Sequence, residues 1–298
     1  MSAQVQSFFH RDSNTFSYLV SDPASGEAAL IDPVLDYDPD TDASSDAPVR
    51  PLLEAIDRQG LHLRWLLETH AHADHVSAGR RLKVLFPQAT LAIGEGIRAV
   101  QATFAPRYGL DGPALDTHFD HLFADGETFA LGRLQGRIIA VPGHTSDSIA
   151  YLIGDALFPG DSLFMPDSGT ARCDFPGGDA VQLYRSIQRL LALPDATRVF
   201  VCHDYGPGGR AVANETTIGA QRAHNIHVHE GVDEAAFVSV RQARECNPGR
   251  AEADAAGGEG QHPGRGLTAA PPCARHRAPP GTTGPACAPR AGPSRSRR

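Results

Sequence analysis

The chain has 298 residues, of which 41% are hydrophobic and 21% charged, a composition that supports one large folded domain and excludes a chain disordered throughout. No apolar run approaches the roughly 18 residues of a membrane span, the polar start Met1–Asn14 lacks a secretory signal's build, and five cysteines without a CxxC pair exclude a disulfide scaffold and fit a reducing, cytoplasmic location. The net charge of −8 divides into +5 over Cys246–Arg298 and −13 over the rest, so the acidic body does not suit nucleic-acid binding, which needs clustered Lys and Arg.

In chain order, Phe16–Val20 and Ala28–Ile31 read as an opening hairpin, turned by Asp22-Pro23 and Ser25-Gly26. Asp36–Asp46 is rich in Asp, Ser and Pro and reads as a solvated loop rather than a calcium site. Pro51–Gln59 has helical apolar spacing (Leu52, Leu53, Ile56) with Gly60 as its stop. Leu63–Leu67 is a buried strand, followed by a helix over Ser77–Leu85 and a strand over Thr90–Ile93. Arg137–Val141 is a strand ending at Pro142-Gly143, and Ile149–Ile153 with Ala156–Phe158 flank the hairpin signal Gly154-Asp155. Asp179–Leu191 is the clearest amphipathic helix, Arg198–Val201 is a last strand, and Asp233–Arg244 begins a closing helix. Strands with helices packed outside them predict a layered α/β fold.

Chemistry concentrates where strands end. Thr69-His70-Ala71-His72-Ala73-Asp74-His75 follows an apolar strand and crowds three imidazoles and a carboxylate into six positions. Residues two apart share a side in extended geometry, and a turn brings Asp74 and His75 back towards them. Imidazole nitrogen with carboxylate oxygen is the donor set of borderline divalent metals. Three more strands are followed by ligand-capable residues: His144 after Val141-Pro142-Gly143, Asp161 after Pro159-Gly160, and His203 after Val201-Cys202. Gly143 permits a sharp turn with close backbone approach.

This HxHxDH segment at His70–His75, followed by His144, Asp161 and His203, resembles the metallo-β-lactamase fold superfamily over roughly Phe8 to Arg244. The resemblance implies an αββα sandwich with a metal site at one edge of two packed sheets. It implies one metal position from His70, His72 and His144 and another from Asp74, His75 and His203, with Asp161 bridging. Two families within that fold are similar to this chain. Glyoxalase II-type hydrolases fill both positions, with two Zn(II)-like ions, and cleave a glutathione thioester, and Asp74 would also orient the nucleophile. Persulfide dioxygenases use one Fe(II), held by the equivalents of His70, His144 and Asp161.

Residues outside the metal set look more like the dioxygenase. His203-Asp204-Tyr205, Thr216-Thr217-Ile218-Gly219 with Arg222 and Asn225, and Asp233–Val238 resemble its segments, and Arg172-Cys173-Asp174-Phe175 is similar to its Arg-Thr-Asp-Phe. The resemblance implies a small thiol substrate, glutathione-derived, with Arg172 pairing a substrate carboxylate and Tyr205 hydrogen-bonding near the pocket; the acidic body and the lack of a long apolar run predict no nucleic-acid or membrane partner, and a homodimer is a possible assembly. The segments Asp161–Arg172 and Phe104–His121 look longer than in that family, which allows another thiol carrier.

Other features read as structural. Cys173 and Cys202 read as buried or inert cysteines rather than redox-active thiols, His224, His227 and His229 read as surface histidines, and Gly206-Pro207-Gly208-Gly209 reads as a turn. The domain reading is a folded unit over 1–245 and a low-complexity tail over 246–298. Ala, Pro, Gly and Arg fill 37 of the tail's positions, and Leu267 is its one large aliphatic residue. That composition cannot bury enough surface to offset its ordering entropy. It predicts a disordered basic tail or a frame-shifted reading after about Arg244, and in the second case the chain lacks a closing segment and folds poorly.

Overall fold

In the computed structural model the described residues are 2–38, 40–108 and 118–245; the expected tail and part of the Phe104–His121 insertion lie outside them. Two six-stranded sheets form the centre. The first has the order β1 (Gln4–His10), β2 (Thr15–Ser21), β3 (Glu27–Ile31), β6 (His62–Leu67), β8 (Thr90–Gly94) and β9 (His121–Phe123). The second has the order β10 (Thr128–Leu131), β11 (Leu134–Ala140), β12 (Ile149–Ile153), β13 (Ala156–Phe158), β14 (Arg198–Phe200) and β15 (Glu215–Thr217). A small three-stranded sheet joins β5 (Ala43–Ser45), β4 (Val34–Asp38) and β7 (Val76–Ser77). The segment expected as a solvated loop over Asp36–Asp46 is therefore partly a hairpin, because residues 36–38 pair with 43–45.

Side-chain alternation along each strand creates the layers. Phe16, Tyr18 and Val20 of β2, Ile31 of β3, Ile138 of β11, Tyr151 of β12 and Phe158 of β13 fill the core between the sheets. Their neighbours in sequence point the other way: Leu19, Leu30 and Leu66 meet Leu52 and Ile56 of α1 (Arg50–Gln59) and Leu82 of α2 (Gly79–Leu85). On the opposite face Ile139, Leu157 and Val199 meet Leu183, Ile187 and Leu190 of α4 (Ala180–Leu191) and Phe237 of α6 (Glu234–Glu245). The result is helix, sheet, sheet, helix. Two further helices, α3 (Ile97–Tyr108) and α5 (Ile218–His224), complete the described set, and none of these helices is long and apolar enough to cross a membrane.

The helix ends follow local chemistry. Pro51 opens α1, and Gly60 ends it at φ 62°, a left-handed turn that a Cβ would strain. Asp179 caps α4 by accepting from Gln182 N at 2.8 Å, and Thr217 caps α5 by accepting from Ala220 N at 3.1 Å.

Strand direction positions the site. β6 runs parallel to β3, and β14 runs parallel to β13. Two antiparallel pairings bring β11 into line with β13. The loops leaving β3, β6, β11, β13 and β14 therefore gather at one edge, as ligand-binding loops do in α/β sheets. Cross-sheet hydrogen bonds fasten that edge: Ile149 N donates to Thr69 O at 2.9 Å, Phe16 N to Cys202 O at 2.7 Å, and Tyr151 Oη to Glu68 O at 2.9 Å.

Candidate metal centre

Three sets of possible donors meet at this edge. The ligand atoms of His70, His144 and Asp161 lie within 4.8 Å of one another, and so do those of His72, Asp74 and His75, and those of Asp161, Cys202 and His203. His70 Nε2 and His144 Nε2 face Asp161 Oδ2 at 3.8 and 3.5 Å, while His203 Nε2 faces Asp161 Oδ1 at 3.3 Å and Asp74 Oδ2 at 3.4 Å. These gaps are mostly too long for hydrogen bonds. They match the roughly 3.4 Å edge between two ligands that each bind one cation at about 2.1 Å in a tetrahedral site.

The outer partners of the rings explain which nitrogens face inward. His144 Nδ1 donates to the Arg172 carbonyl at 2.7 Å, and His203 Nδ1 donates to the Asn14 carbonyl at 3.2 Å. His70 Nδ1 meets Thr69 Oγ1 at 2.9 Å, whose own hydrogen goes to Asp32 Oδ2 at 2.9 Å. His72 Nε2 donates to Asp32 Oδ1 at 3.1 Å. Each ring thus commits one nitrogen to an outer acceptor, the arrangement that fixes a metal-binding tautomer. The buried atoms His72 Nδ1, His75 Nε2 and Asp161 Oδ1 have no hydrogen-bond partner. Buried polar atoms are nearly always satisfied, so these residues fit a divalent cation.

The resemblance puts His72 beside His70 and His144. Here its ligand atom groups with Asp74 and His75, although its ring centroid stays 4.3 Å from that of His70. Asp32 and Glu68 draw Nε2 backwards, at 3.1 and 3.4 Å.

Electrostatics suit the same purpose. Burial, reinforced by His72, pushes the His70 pKa well below the ordinary histidine range, which keeps the ring in its neutral ligating form. Burial opposes charge on His72 as well, yet the Asp32 and Glu68 carboxylates hold its pKa well above the usual value, so its surroundings favour positive charge at Nδ1. Burial raises the Asp161 carboxyl, but His203, His70 and His144 bring it below the ordinary value overall. His75 and His203 likewise outweigh burial at Asp74 and hold that carboxyl low.

Backbone shape supports the loops. Gly143 sits at φ 144°, where a Cβ would lie 2.3 Å from the Leu183 backbone, and Gly160 at φ 52° leaves room for Thr69. Asp147 Oδ2 accepts from Ala71 N at 2.8 Å and pins the HxHxDH loop. Asp32, Glu68, Thr69 and Asp147 are functional supports that the sequence reading missed. Asp32 did carry a signal, since it follows a strand as the ligands do.

A cleft of about 700 Å³ opens over the centre, lined in part by Asp74, Asp161, Phe164, Arg172, Phe175 and Tyr205. Arg172 lies at its wall, ion-paired with Asp174, its guanidinium 5.1 Å from the Phe175 ring centre. Tyr205 lies parallel to His203 at 6.1 Å and is 44% exposed, so it belongs to the cleft and not to the core. Phe175 and Phe164 stand edge-on to His144 and His203.

Cys173 and Cys202 are buried, and burial with Asp161 and Asp32 nearby pushes the Cys202 thiol well up, away from thiolate reactivity. One surface assignment is corrected. His227 is 4% exposed, because its Nδ1 accepts from Thr170 N at 3.0 Å and so braces the loop before Arg172. His224 and His229 are exposed as expected.

The metallo-beta-lactamase superfamily model matches residues 10–203, and the chain belongs to that superfamily, whose members are metal-dependent enzymes. A probable metallo-hydrolase of Burkholderia pseudomallei is 46% identical, covering 81% of this chain and 86% of that one. Glyoxylase B2 of Dictyostelium discoideum is 41% identical over 82% and 85%. The hydroxyacylglutathione hydrolase of Methylococcus capsulatus and the human persulfide dioxygenase ETHE1 are 36% and 32% identical, covering 64% and 67% of this chain and 63% and 68% of theirs. The crystal structure of ETHE1 from Myxococcus xanthus is similar with a TM-score of 0.64 and 32% identity, covering 80% of this chain and 90% of that one.

Proposed function

We propose that the protein is a persulfide dioxygenase, converting glutathione persulfide or a similar small persulfide, with O2 and water, to the thiol, sulfite and two protons. The observation that carries this reading is the buried set His70, His144 and Asp161, two imidazoles and one carboxylate gathered within 4.8 Å. That donor set suits a single Fe(II), which supplies oxygen activation and open coordination positions when bound. The chain's own residues do the rest. The Arg172 carbonyl and Thr69 hold the His144 and His70 rings in their inward tautomers. Phe175 stands edge-on to His144 and Phe164 to His203, and the two rings shield those imidazoles from water on the cleft side. Arg172 exchanges its Asp174 partner for a substrate carboxylate through its planar fork, and Tyr205 offers its hydroxyl to the bound thiol. The glutathione relatives support a thiol substrate, and the unit that acts is the folded body, 1–245.

A second reading is a two-zinc thioester hydrolase of the glyoxalase II type, in which Asp74 orients a nucleophilic water. It is favoured by the unpartnered His72 Nδ1 and His75 Nε2 beside Asp74 and by the name of the 46% identical relative. Iron and zinc quantification on anaerobically purified protein, followed by an O2-electrode assay, separates the two. About one iron per chain with O2 uptake on glutathione persulfide supports the dioxygenase. Two zincs with thioester cleavage and no O2 use overturns it.

A further inference from the structure

Arg172 is not the only guanidinium on the cleft wall. Arg241 and Arg244 of α6 also line it, and neither the metal centre nor the oxygen chemistry uses them. α6 is clamped before it reaches the cleft. Phe237 is fully buried against Tyr184 of α4, with ring centres 5.6 Å apart, Tyr184 Oη donates to the Val232 carbonyl at 2.8 Å, and Arg185 pairs with Glu234 at 2.9 Å. Positions four and seven beyond Phe237 fall on the same face of a helix, and these are Arg241 and Arg244. Arg241 is 5% exposed and Arg244 is half-buried. The inner stripe of α6 therefore turns from aromatic to cationic where it meets the cleft. Arginine is rarely buried this far without acceptors or an anion to answer it.

Arg241 braces the wall. Its Nη1 donates to the Thr170 carbonyl at 2.8 Å and to Thr170 Oγ1 at 3.3 Å, and Thr170 N donates to His227 Nδ1 at 3.0 Å. Thr170 lies two residues before Arg172, so α6 and Arg172 belong to one wall. Hydrogen bonding from Arg172, with Arg241 adding its charge, holds the Asp174 carboxyl below the ordinary carboxylate range. That acid already answers two of the three guanidinium groups. Arg244 stands one turn beyond Arg241, where helical residues three apart have Cβ atoms about 5–6 Å from each other. Burial first, and then Arg241 and Arg244 together, oppose positive charge on His227, so both cations act on the same corner of the cleft.

We propose that Arg244 is a specificity-determining residue: with Arg241 behind it, it takes a second substrate carboxylate while Arg172 takes the first, so that the cleft selects a thiol carrier with two carboxylates over thiols with one or none. Guanidinium forks bind carboxylates through two parallel hydrogen bonds. An extended tripeptide spans roughly 10 Å, long enough for its two ends to reach separate cations. The assignment rests on the glutathione-type reading of the cleft.

Calorimetric titration of the metal-loaded full chain with glutathione and with glutathione diethyl ester, in which both carboxylates are masked, tests it. The wild type binds glutathione about 100-fold more tightly than the diester. Arg244→Ala weakens glutathione by about tenfold and leaves the diester unchanged, and Arg172→Ala does the same. The double variant loses about 100-fold, because the two arginines hold different carboxylates and their effects add. Glutathione affinity unaffected by Arg244→Ala overturns the assignment, as does an equal loss for the diester, a double variant no weaker than either single one, or a wild type that binds both ligands alike. The dioxygenase reading fails separately: a wild type with this binding pattern that takes up no O2 with glutathione persulfide sinks that reading and leaves the second carboxylate site standing.

Discussion

The floor of the cleft and its outer wall are built by different means. On the floor, His70, His144 and Asp161 are buried, and both rings have an outer partner. On the wall, Arg172 pairs with Asp174 while 56% of its side chain is exposed, and Tyr205 is 44% exposed. Buried charges rearrange only at high cost, whereas exposed ion pairs contribute roughly 0–1 kcal/mol and exchange easily. Under the proposed function, the chemistry belongs to this fixed floor and substrate choice to a wall that can trade partners.

Mutations that separate floor from wall sharpen this contrast. The largest effect belongs to Asp161→Asn, which removes the negative charge facing three imidazoles: activity drops by about 1000-fold or more and metal per chain falls with it, beyond the 10–100-fold typical of an outer partner. Metal retained at the wild-type level would move the ligand role elsewhere. Asp32→Asn comes next, since Asp32 holds Thr69 and His72 from behind; metal affinity, measured by chelator competition, falls by about 10–100-fold.

On the wall, Arg172→Ala raises KM about tenfold, the effect of losing roughly 1.4 kcal/mol of substrate binding, with metal content and kcat nearly unchanged. A loss of metal instead would show that wall and floor are one unit.

The last effect is on acid stability, away from activity, and concerns His227, whose pKa is pushed down to about 3 by burial and by Arg241 and Arg244. The unfolded chain takes up this proton near pH 6.5 and the folded protein only near pH 3, so the folded state loses stability as pH falls through that window. The slope is up to about 1.4 kcal/mol per pH unit. His227→Gln flattens this acid limb in urea titrations at several pH values; an unchanged limb places the proton uptake on other groups.

Much of this was legible in the sequence because the fold repeats one pattern, an apolar strand followed by a ligand-bearing loop. Leu63–Leu67, Arg137–Val141 and Ala156–Phe158 announced themselves by apolar runs, and their loops by His and Asp. β1 did not, since Gln4–His10 places Phe8 and Phe9 side by side and leaves most residues half-buried, so neither alternation nor a full apolar run stands out. α3 lacks a clear apolar face and carries Pro106 inside it. The outer supports were harder still. Asp32 and Glu68 are a lone Asp and a lone Glu in sequence, and only the pairing of β3 with β6 shows that both sit behind His72. His227 looked like a surface residue because a polar stretch surrounds it, yet Thr170 and Gly169 close over its ring.

X-ray absorption at the metal edge of the loaded protein tests the central claim most directly. The expected result is a first shell of nitrogen and oxygen alone at about 2.0–2.2 Å, with the outer scattering of at least two imidazoles. A sulfur shell, which would recruit Cys202, or a spectrum without imidazole scattering would contradict it.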